Sequence, residues 1–278
     1  MNRMLSNSNE NEGTADTAVG AIEGVATGAL QHRKALRGVG LARFLQLRGH
    51  RIIEALGVLW YNVKHRLYMS LPYEVNLDLD RAQVNEMLRS MGALGVRFPS
   101  GSRPGLVSGL YVYQKRPYDL HALHRNFRAK VRQGLDSCHV HRIEESDLLN
   151  QGLQLNLETM KRQGRFDPEF GDPKQWKRFV DAVYQCPEIA PIGAFLDNRL
   201  LAYAITCQED GWLHVLHMMS RTDERAHCPN HALTFVIAQE INTNRAIEAV
   251  CLGFKSLLDN EGLHEYKRRL GFEMRPQN

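Results

Sequence analysis

Residues 192–219 read Ile-Gly-Ala-Phe-Leu-Asp-Asn-Arg-Leu-Leu-Ala-Tyr-Ala-Ile-Thr-Cys-Gln-Glu-Asp-Gly-Trp-Leu-His-Val-Leu-His-Met-Met. Three apolar and β-branched runs, Ile192–Leu196, Leu200–Cys207 and Trp212–Met219, are separated by Asp197-Asn198-Arg199 and Glu209-Asp210-Gly211. Asp, Asn and Gly tolerate the positive φ that tight hairpin turns require, so runs of this length broken in this way predict an antiparallel meander.

Downstream, the spacing predicts a helix over about Asn230–Asn242, a strand over Ile247–Leu252, a helix over Gly262–Arg269 and a short strand from Gly271. Upstream, Val107–Gln114 suits a strand, and Asp119 is placed to cap a helix whose apolar stripe is Leu120, Leu123, Phe127 and Val131. His139–Ile143 reads as a strand, and Asp147–Gln163 and Pro173–Tyr184 read as helices. The crowding of Pro, Gly and Ser in Arg97–Pro104 marks a loop and the best domain boundary. Before it, Arg66–Glu74 suits a strand and Asp80–Met91 a helix beginning near Asp80. From Gln31 to Lys64, Leu36, Phe44, Leu45, Ile52, Ile53 and Leu56 recur at helical intervals among Arg33, Lys34, Arg37, Arg43, Arg48 and Arg51, a basic amphipathic pattern interrupted by glycines. The organisation that results is a disordered tail over 1–30, a helical or partly sheet-forming region over 31–118, and a main domain over 119–278.

A chain of 278 residues buries roughly three quarters of its unfolded surface, enough for a real core. With 43% hydrophobic and 24% charged residues it has a soluble protein's composition, and no apolar run reaches the roughly 18 residues of a spanning helix. The Asn/Ser/Glu-rich start lacks the order of a secretory signal, which predicts a cytoplasmic protein. Five cysteines without a C-x-x-C pair argue for reduced thiols rather than a disulfide framework or a zinc ribbon. Arg and Lys concentrate in Gln31–Arg51 and again in Lys115–Arg142, which points to a phosphorylated or polyanionic ligand, or to peripheral membrane contact by the first cluster; nothing points to DNA.

The order meander, helix, strand, helix, strand, together with Gly262-Leu263-His264-Glu265-Tyr266-Lys267-Arg268-Arg269-Leu270-Gly271-Phe272, resembles the C-terminal core of GNAT-fold acyltransferases. Within that superfamily it is similar to the branch of the Fem-type peptidyltransferases and the CelD/BcsL-type acetyltransferases associated with surface polysaccharide synthesis. Asn126–Gly134 resembles the basic helix that opens the second domain of that branch, and Cys228–Leu233 resembles its turn into the next helix. The likeness covers residues 119–278. It implies an α+β fold with a mixed, mostly antiparallel central sheet flanked by helices, and acyl or aminoacyl transfer to an amine or hydroxyl of a small-molecule or surface-precursor substrate. It implies no tightly bound cofactor, with acetyl-CoA or acyl-CoA as co-substrate or aminoacyl-tRNA as donor. Two positions depart from ordinary GNAT enzymes. Arg225-Ala226-His227-Cys228-Pro229-Asn230 has Cys and Asn where the pyrophosphate-binding turn has glycines, and Lys267 stands where many members place a tyrosine, as in the Fem-type pattern.

Acyl transfer needs a polarised carbonyl, a route for the amine proton and a place for the leaving group's charge. The fold supplies the first with backbone amides at a strand bulge, and Trp212–Met219 occupies that place. His214 and His217 on it are candidate bases, expected on opposite faces because strand side chains alternate. Lys267 and Lys255 are candidates to neutralise the leaving group. Arg225, Cys228, Asn230 and His231 surround the helix start expected to hold the donor's phosphate. His121, Arg125, Arg128 and Arg132, at i, i+4, i+7 and i+11, form a stripe suited to phosphate, or a solvated basic face. Neither His227, Cys228 and His231 nor His214 and His217 complete a metal-ligand set, so no metal is implied. The competing reading is a non-catalytic GNAT-like module that binds a phosphorylated ligand or partner.

Overall fold

The computed structural model describes residues 36–101, 108–255 and 261–277. The 1–30 tail and residues 102–104 of the predicted boundary loop lie outside them. The N-terminal part contains α1 (Val39–Leu47), β1 (Ile52–Ala55), β2 (Val58–Lys64), β3 (Leu67–Leu71), α2 (Arg81–Ser90) and β4 (Gly95–Arg97). Its four strands pair in chain order, with β3 and β4 parallel. Trp60, Tyr68, Met87 and Met91 form their core. α2 begins near Asp80 as the sequence indicated, and Asp80 caps it in a reciprocal capping box with Gln83.

Among the described residues 36–64, the helical periodicity holds only through α1 and fails beyond Leu47. Gly49, at φ +95°, ends α1, and Leu56 and Gly57, both at positive φ, form the turn of the β1–β2 hairpin. The helix-like spacing of Ile52, Ile53 and Leu56 is therefore an accident of a strand alternating across a turn. The apolar face of α1, formed by Leu41, Phe44 and Leu45, is buried. Phe44 meets Phe179 edge-on at 5.7 Å. That face is consumed by the core, which removes the amphipathic surface expected to lie on a membrane. Among the described residues no helix is long and apolar enough to cross one.

The remaining elements are β5 (Ser108–Tyr113), α3 (Arg125–Ser137), β6 (His139–Arg142), α4 (Glu145–Arg162), α5 (Pro168–Gly171), α6 (Pro173–Gln185), β7 (Ile189–Leu196), β8 (Arg199–Glu209), β9 (Trp212–Ser220), α7 (Pro229–Thr243), β10 (Ala249–Phe254), α8 (Glu261–Arg269) and β11 (Glu273–Gln277). They include a seven-stranded sheet in the order β11-β5-β10-β9-β8-β7-β6. β9 and β10, joined through α7, are its parallel pair, and the other neighbours are antiparallel. The mixed, mostly antiparallel sheet flanked by helices is the expected class. The strand before residue 119, β5, is paired on both sides inside this sheet.

Each face of the sheet has its own core. One buries Leu155, Trp176, Phe179, Tyr203 and Ile205 beneath α1, α4 and α6. The other buries Phe127, Val131, Leu201, Leu233 and Ile237 beneath α3 and α7. Each such side chain contributes roughly 1.5–3 kcal/mol when fully buried. Asp119 caps a 3-10 turn over Leu120–Ala122 instead of an α-helix, and α3 begins only at Arg125, with His124 as its cap.

Candidate functional site

The site begins with one extra residue in β9. Along the β8–β9 ladder Ile205 faces His217 and Thr206 faces Val215, so Leu216 is inserted without a partner. Such a bulge bends the strand and frees the inserted residue's backbone from the ladder. It also corrects the expected alternation. His214 faces Cys207 and His217 faces Ile205, two residues apart on β8, so both histidines lie on the same face of the sheet.

Next to the bulge the sheet opens. β10 pairs with β9 only where Ala249, Val250 and Cys251 meet Trp212, Leu213 and His214. Beyond Cys251 the register of β10 on β5 also shifts, and Gly253 adopts φ +76°. Three cavities converge there. One of about 480 Å³, lined by Val215, Leu252, Asn230, Thr234, Tyr266 and Lys267, lies under α7 and α8. A second of about 380 Å³, lined by Leu41, Arg48, Tyr61, Tyr73, His214 and Phe254, shares Val215, Leu216 and Gly253 with the first. A third of about 590 Å³ surrounds the start of α7 with Lys130, Arg221, Arg225, Cys228 and His231, and shares Ser220, Asn230 and Tyr266 with the first.

The start of α7 is fixed from several directions. Pro229 occupies its first turn and Cys228 is held at φ +51°, a left-handed conformation usually left to glycine. The Asn230 side-chain amide donates to Ser220 Oγ at 2.9 Å, and Tyr266 donates to the Asn230 carbonyl at 2.9 Å. Tyr266 Oη also lies 3.1 Å from Thr234 Oγ1. Burial drives the Tyr266 phenol far up, so it stays a neutral donor. Asn230 Oδ1 and His231 Nε2 are buried without a hydrogen-bond partner among the described residues. Burial, then nearby Lys130, lowers His231 to about 4, and its ring sits between Phe127 and Tyr266. Arg225 and Lys130 have no acidic partner among the described residues, whereas Arg221 pairs with Glu158 at 3.1 Å. Arg162, which donates to Thr222 Oγ1, has its pKa lowered by burial and by Arg225.

Lys267 is buried, 7% exposed. Its ammonium donates to the Phe254 carbonyl at 3.2 Å and lies 4.9 Å from the centre of the Tyr111 ring, on which His264 also stacks. Desolvation lowers it to about 8, so near neutral pH both its forms are populated. This is a deeper position than the edge of an apolar stripe that the helix pattern gave it, because Leu263 is exposed and His264 and Lys267 turn inward.

His214 is also buried, and its Nε2 lies 3.4 Å from Glu74 Oε2. Burial pulls it down, but the Cys251 thiol and the Glu74 carboxylate outweigh burial and raise it to about 9. The contact has ion-pair distance without hydrogen-bond alignment, since Glu74 Oε2 accepts no hydrogen bond. His214 is thus an imidazolium at neutral pH, unavailable as a base. His217 stacks on Phe170 at 4.0 Å, and burial, then Arg48 and Arg165, lower it to about 3. It is neutral but a weak base.

The arginine stripe divides differently. His121 belongs to the 3-10 turn, Arg125 and Arg132 are exposed on α3, and Arg128 donates to the Leu123 and His121 carbonyls. None of them lines the cavities, and on α3 it is Lys130 and Gln133 that do. Lys255 is half-buried at the end of β10, its amide donating to the Gly109 carbonyl, and it stands outside the cavity walls. Among the described residues no group of three metal-ligating side chains gathers.

No family model and no curated protein matches this sequence. Solved structures do. FemX superposes with a TM-score of 0.60 at 14% identity, over 87% of this chain and 90% of that one. The C-terminal domain of a putative lysylphosphatidylglycerol synthetase from Agrobacterium fabrum gives 0.59 at 13% identity, over 86% and 85%. L-PGS from Bacillus licheniformis gives 0.54 at 12%, over 86% and 89%. The chain has a GNAT-like fold of the Fem type. Within this GNAT-like fold, the sequence pointed to Lys267 and to residues 225–231 and missed Lys130, Arg162, Thr234, Tyr266 and Glu74 as wall or partner residues. Tyr266 carried a signal, since it stands one step from the lysine on the helix that leads into the final Gly-Phe. Glu74 carried none, because its partner lies 140 positions away on another sheet.

Proposed function

We propose that the chain transfers an acyl or aminoacyl group from a phosphorylated carrier to an amine or hydroxyl, by direct attack at the opening between β9 and β10. The observation that supports this most is the coincidence of the Leu216 bulge with the separation of the strands, where two cavities that share Val215, Leu216 and Gly253 meet. The donor enters along α7, its phosphates met by Lys130, Arg225 and the helix N-terminus, and its acyl arm occupies the slot between Leu252 and Tyr266. Side-chain cations take over what glycine amides do in ordinary GNAT turns. The donor is acetyl- or acyl-CoA or an aminoacyl-tRNA. The acceptor enters from the side of Tyr61, Tyr73 and His214.

In the reaction the acceptor nitrogen or oxygen adds to the acyl carbonyl, whose oxygen gathers negative charge near the free bulge amide. The intermediate expels the carrier's thiolate or ribose alkoxide, which takes a proton from the Lys267 ammonium. The neutral lysine then takes the proton released by the new amide or ester. A pKa of about 8 suits both steps. The left-handed Cys228 and the lysine in the tyrosine position favour a second reading, a module that binds the same carrier without turnover. A thermal-shift screen with CoA, acyl-CoA and short aminoacylated RNA tests the donor site, because a ligand of the folded state raises Tm by mass action. A saturable rise with one of them is expected. No rise with any would overturn the donor assignment, and a rise without turnover would favour the second reading.

A further inference from the structure

The turn between β2 and β3 reads Val63-Lys64-His65-Arg66-Leu67, five successive exposed residues. Val63 and Leu67 keep 42% and 41% of their surface, and Leu94 beside them keeps 67%. Leu94 is brought there by its amide, which donates to the Arg66 carbonyl at 2.8 Å, and Leu67 pairs with Gly95 at the start of β4. Three aliphatic side chains from two segments therefore stand together at one end of the small sheet, apart from its buried Trp60–Tyr68 core. Clustered apolar exposure of this kind costs free energy in water and marks an interaction surface.

The charge around this tip is one-sided. Residues 55–73 and 87–96 contain no Asp or Glu but carry Lys64, Arg66 and Arg89, with His65. Arg66 and Arg89 spend their Nε hydrogens on the Gly92 and Asn85 carbonyls, contacts that leave their positive charge uncompensated. Aliphatic tips ringed by uncompensated bases match an anionic bilayer, where the tips enter the headgroup boundary and the bases stay with the phosphates. A nucleic acid would satisfy the bases but not the aliphatic trio, since single-stranded partners are held by stacking on aromatic rings and this tip exposes none. We propose that the β2–β3 turn, with Leu94, docks the protein on an anionic lipid surface. Val63 also stands on the rim of the 380 Å³ cavity with His50 and Met69, so docking holds that cavity's mouth against the bilayer.

The test is sedimentation of the intact chain with vesicles, which reads binding without any assay of transfer and so stands apart from the donor assignment. Wild type is expected to sediment with mixed phosphatidylglycerol–phosphatidylcholine vesicles, less so in high salt, and not with phosphatidylcholine alone. Leu67→Glu combined with Leu94→Glu is expected to weaken binding at least about tenfold while melting as wild type does, because both side chains are exposed. Lys64→Glu is expected to weaken it about fivefold or more. Failure of wild type to sediment, or a double variant that sediments equally well, would overturn the proposal. Lys64-dependent binding of a short RNA without vesicle binding would overturn it in favour of a nucleic acid.

Discussion

Glu74, in the segment that follows β3, sets its carboxylate 3.4 Å from Nε2 of His214 on β9. The N-terminal sheet thus supplies the counter-charge of a histidine at the strand opening, and Arg37 holds the other carboxylate oxygen at 3.0 Å. Because Cys251 and Glu74 together raise His214 to about 9 from an ordinary 6.5 against the pull of burial, the stabilisation of its charged form is fully present below about pH 6.5 and is lost as pH rises through 9. Two and a half units correspond to about 3 kcal/mol. Glu74→Gln removes the carboxylate and leaves Cys251 alone to oppose burial, so the pKa falls. The midpoint of an NMR titration of the His214 ring is expected to move down from near 9 in the variant. An unchanged midpoint would show that Glu74 does not hold the charge.

Lys267 has the opposite sign. Its folded pKa of about 8 lies below the unfolded value of 10.5, so the unfolded chain binds more protons between them and stability rises with pH across that window. The rise attributable to this lysine is at most about 3 kcal/mol. Lys267→Met keeps the stem, loses the bond to Phe254 and relieves a desolvated charge that has no carboxylate partner. Denaturant melts at pH 7.5 and 10 are expected to show the variant equal to or more stable than wild type at the lower pH, with part of the slope gone. Turnover is expected to fall roughly a hundredfold. Retained turnover with reduced stability would make Lys267 a packing residue.

Cys228 occupies a left-handed position without a side-chain cap on α7. Cys228→Gly is expected to raise stability by about 1 kcal/mol, since a Cβ in this conformation costs that much, and to leave donor binding equal or tighter. A lower Tm on thermal melting would mean that the contact of its thiol with Gln133 matters more than the strain.

For the donor's phosphates, Arg225→Ala and Lys130→Ala are each expected to weaken binding by about tenfold or more, the scale of one charge-assisted hydrogen bond. Arg125→Ala and Arg132→Ala serve as controls on exposed positions of α3. Calorimetric titration with the donor that raises Tm distinguishes the two pairs, and equal losses from both would place the phosphates along the outer stripe instead.

The meander and the elements after it were legible because every strand is bounded by residues that permit only a turn, such as Asp210-Gly211, where both φ are positive. The stretch 31–64 misled because a helix end at Gly49 and a hairpin at Leu56-Gly57 produce spacings close to 3.6 by coincidence. The bulge at Leu216 left no local mark in the sequence, since its evidence is a register against β8, and with it went the relative facing of His214 and His217. The basic stripe misled for another reason: which side of α3 meets α7 is decided by Gly134, where a Cβ would come within 2.7 Å of the Cys228 carbonyl, and in that packing it is the exposed Lys130 that borders the cavity at the start of α7.

Transfer at the strand opening is tested most directly by following a labelled acyl group from the bound donor in wild type and in Leu216→Pro. Proline is tolerated at bulges and removes the one amide that the insertion frees. Wild type is expected to form labelled product, and the variant to bind donor with an unchanged Tm while losing turnover about a hundredfold or more. Equal turnover in the two proteins, or no product from wild type with any donor that raises its Tm, would contradict the account.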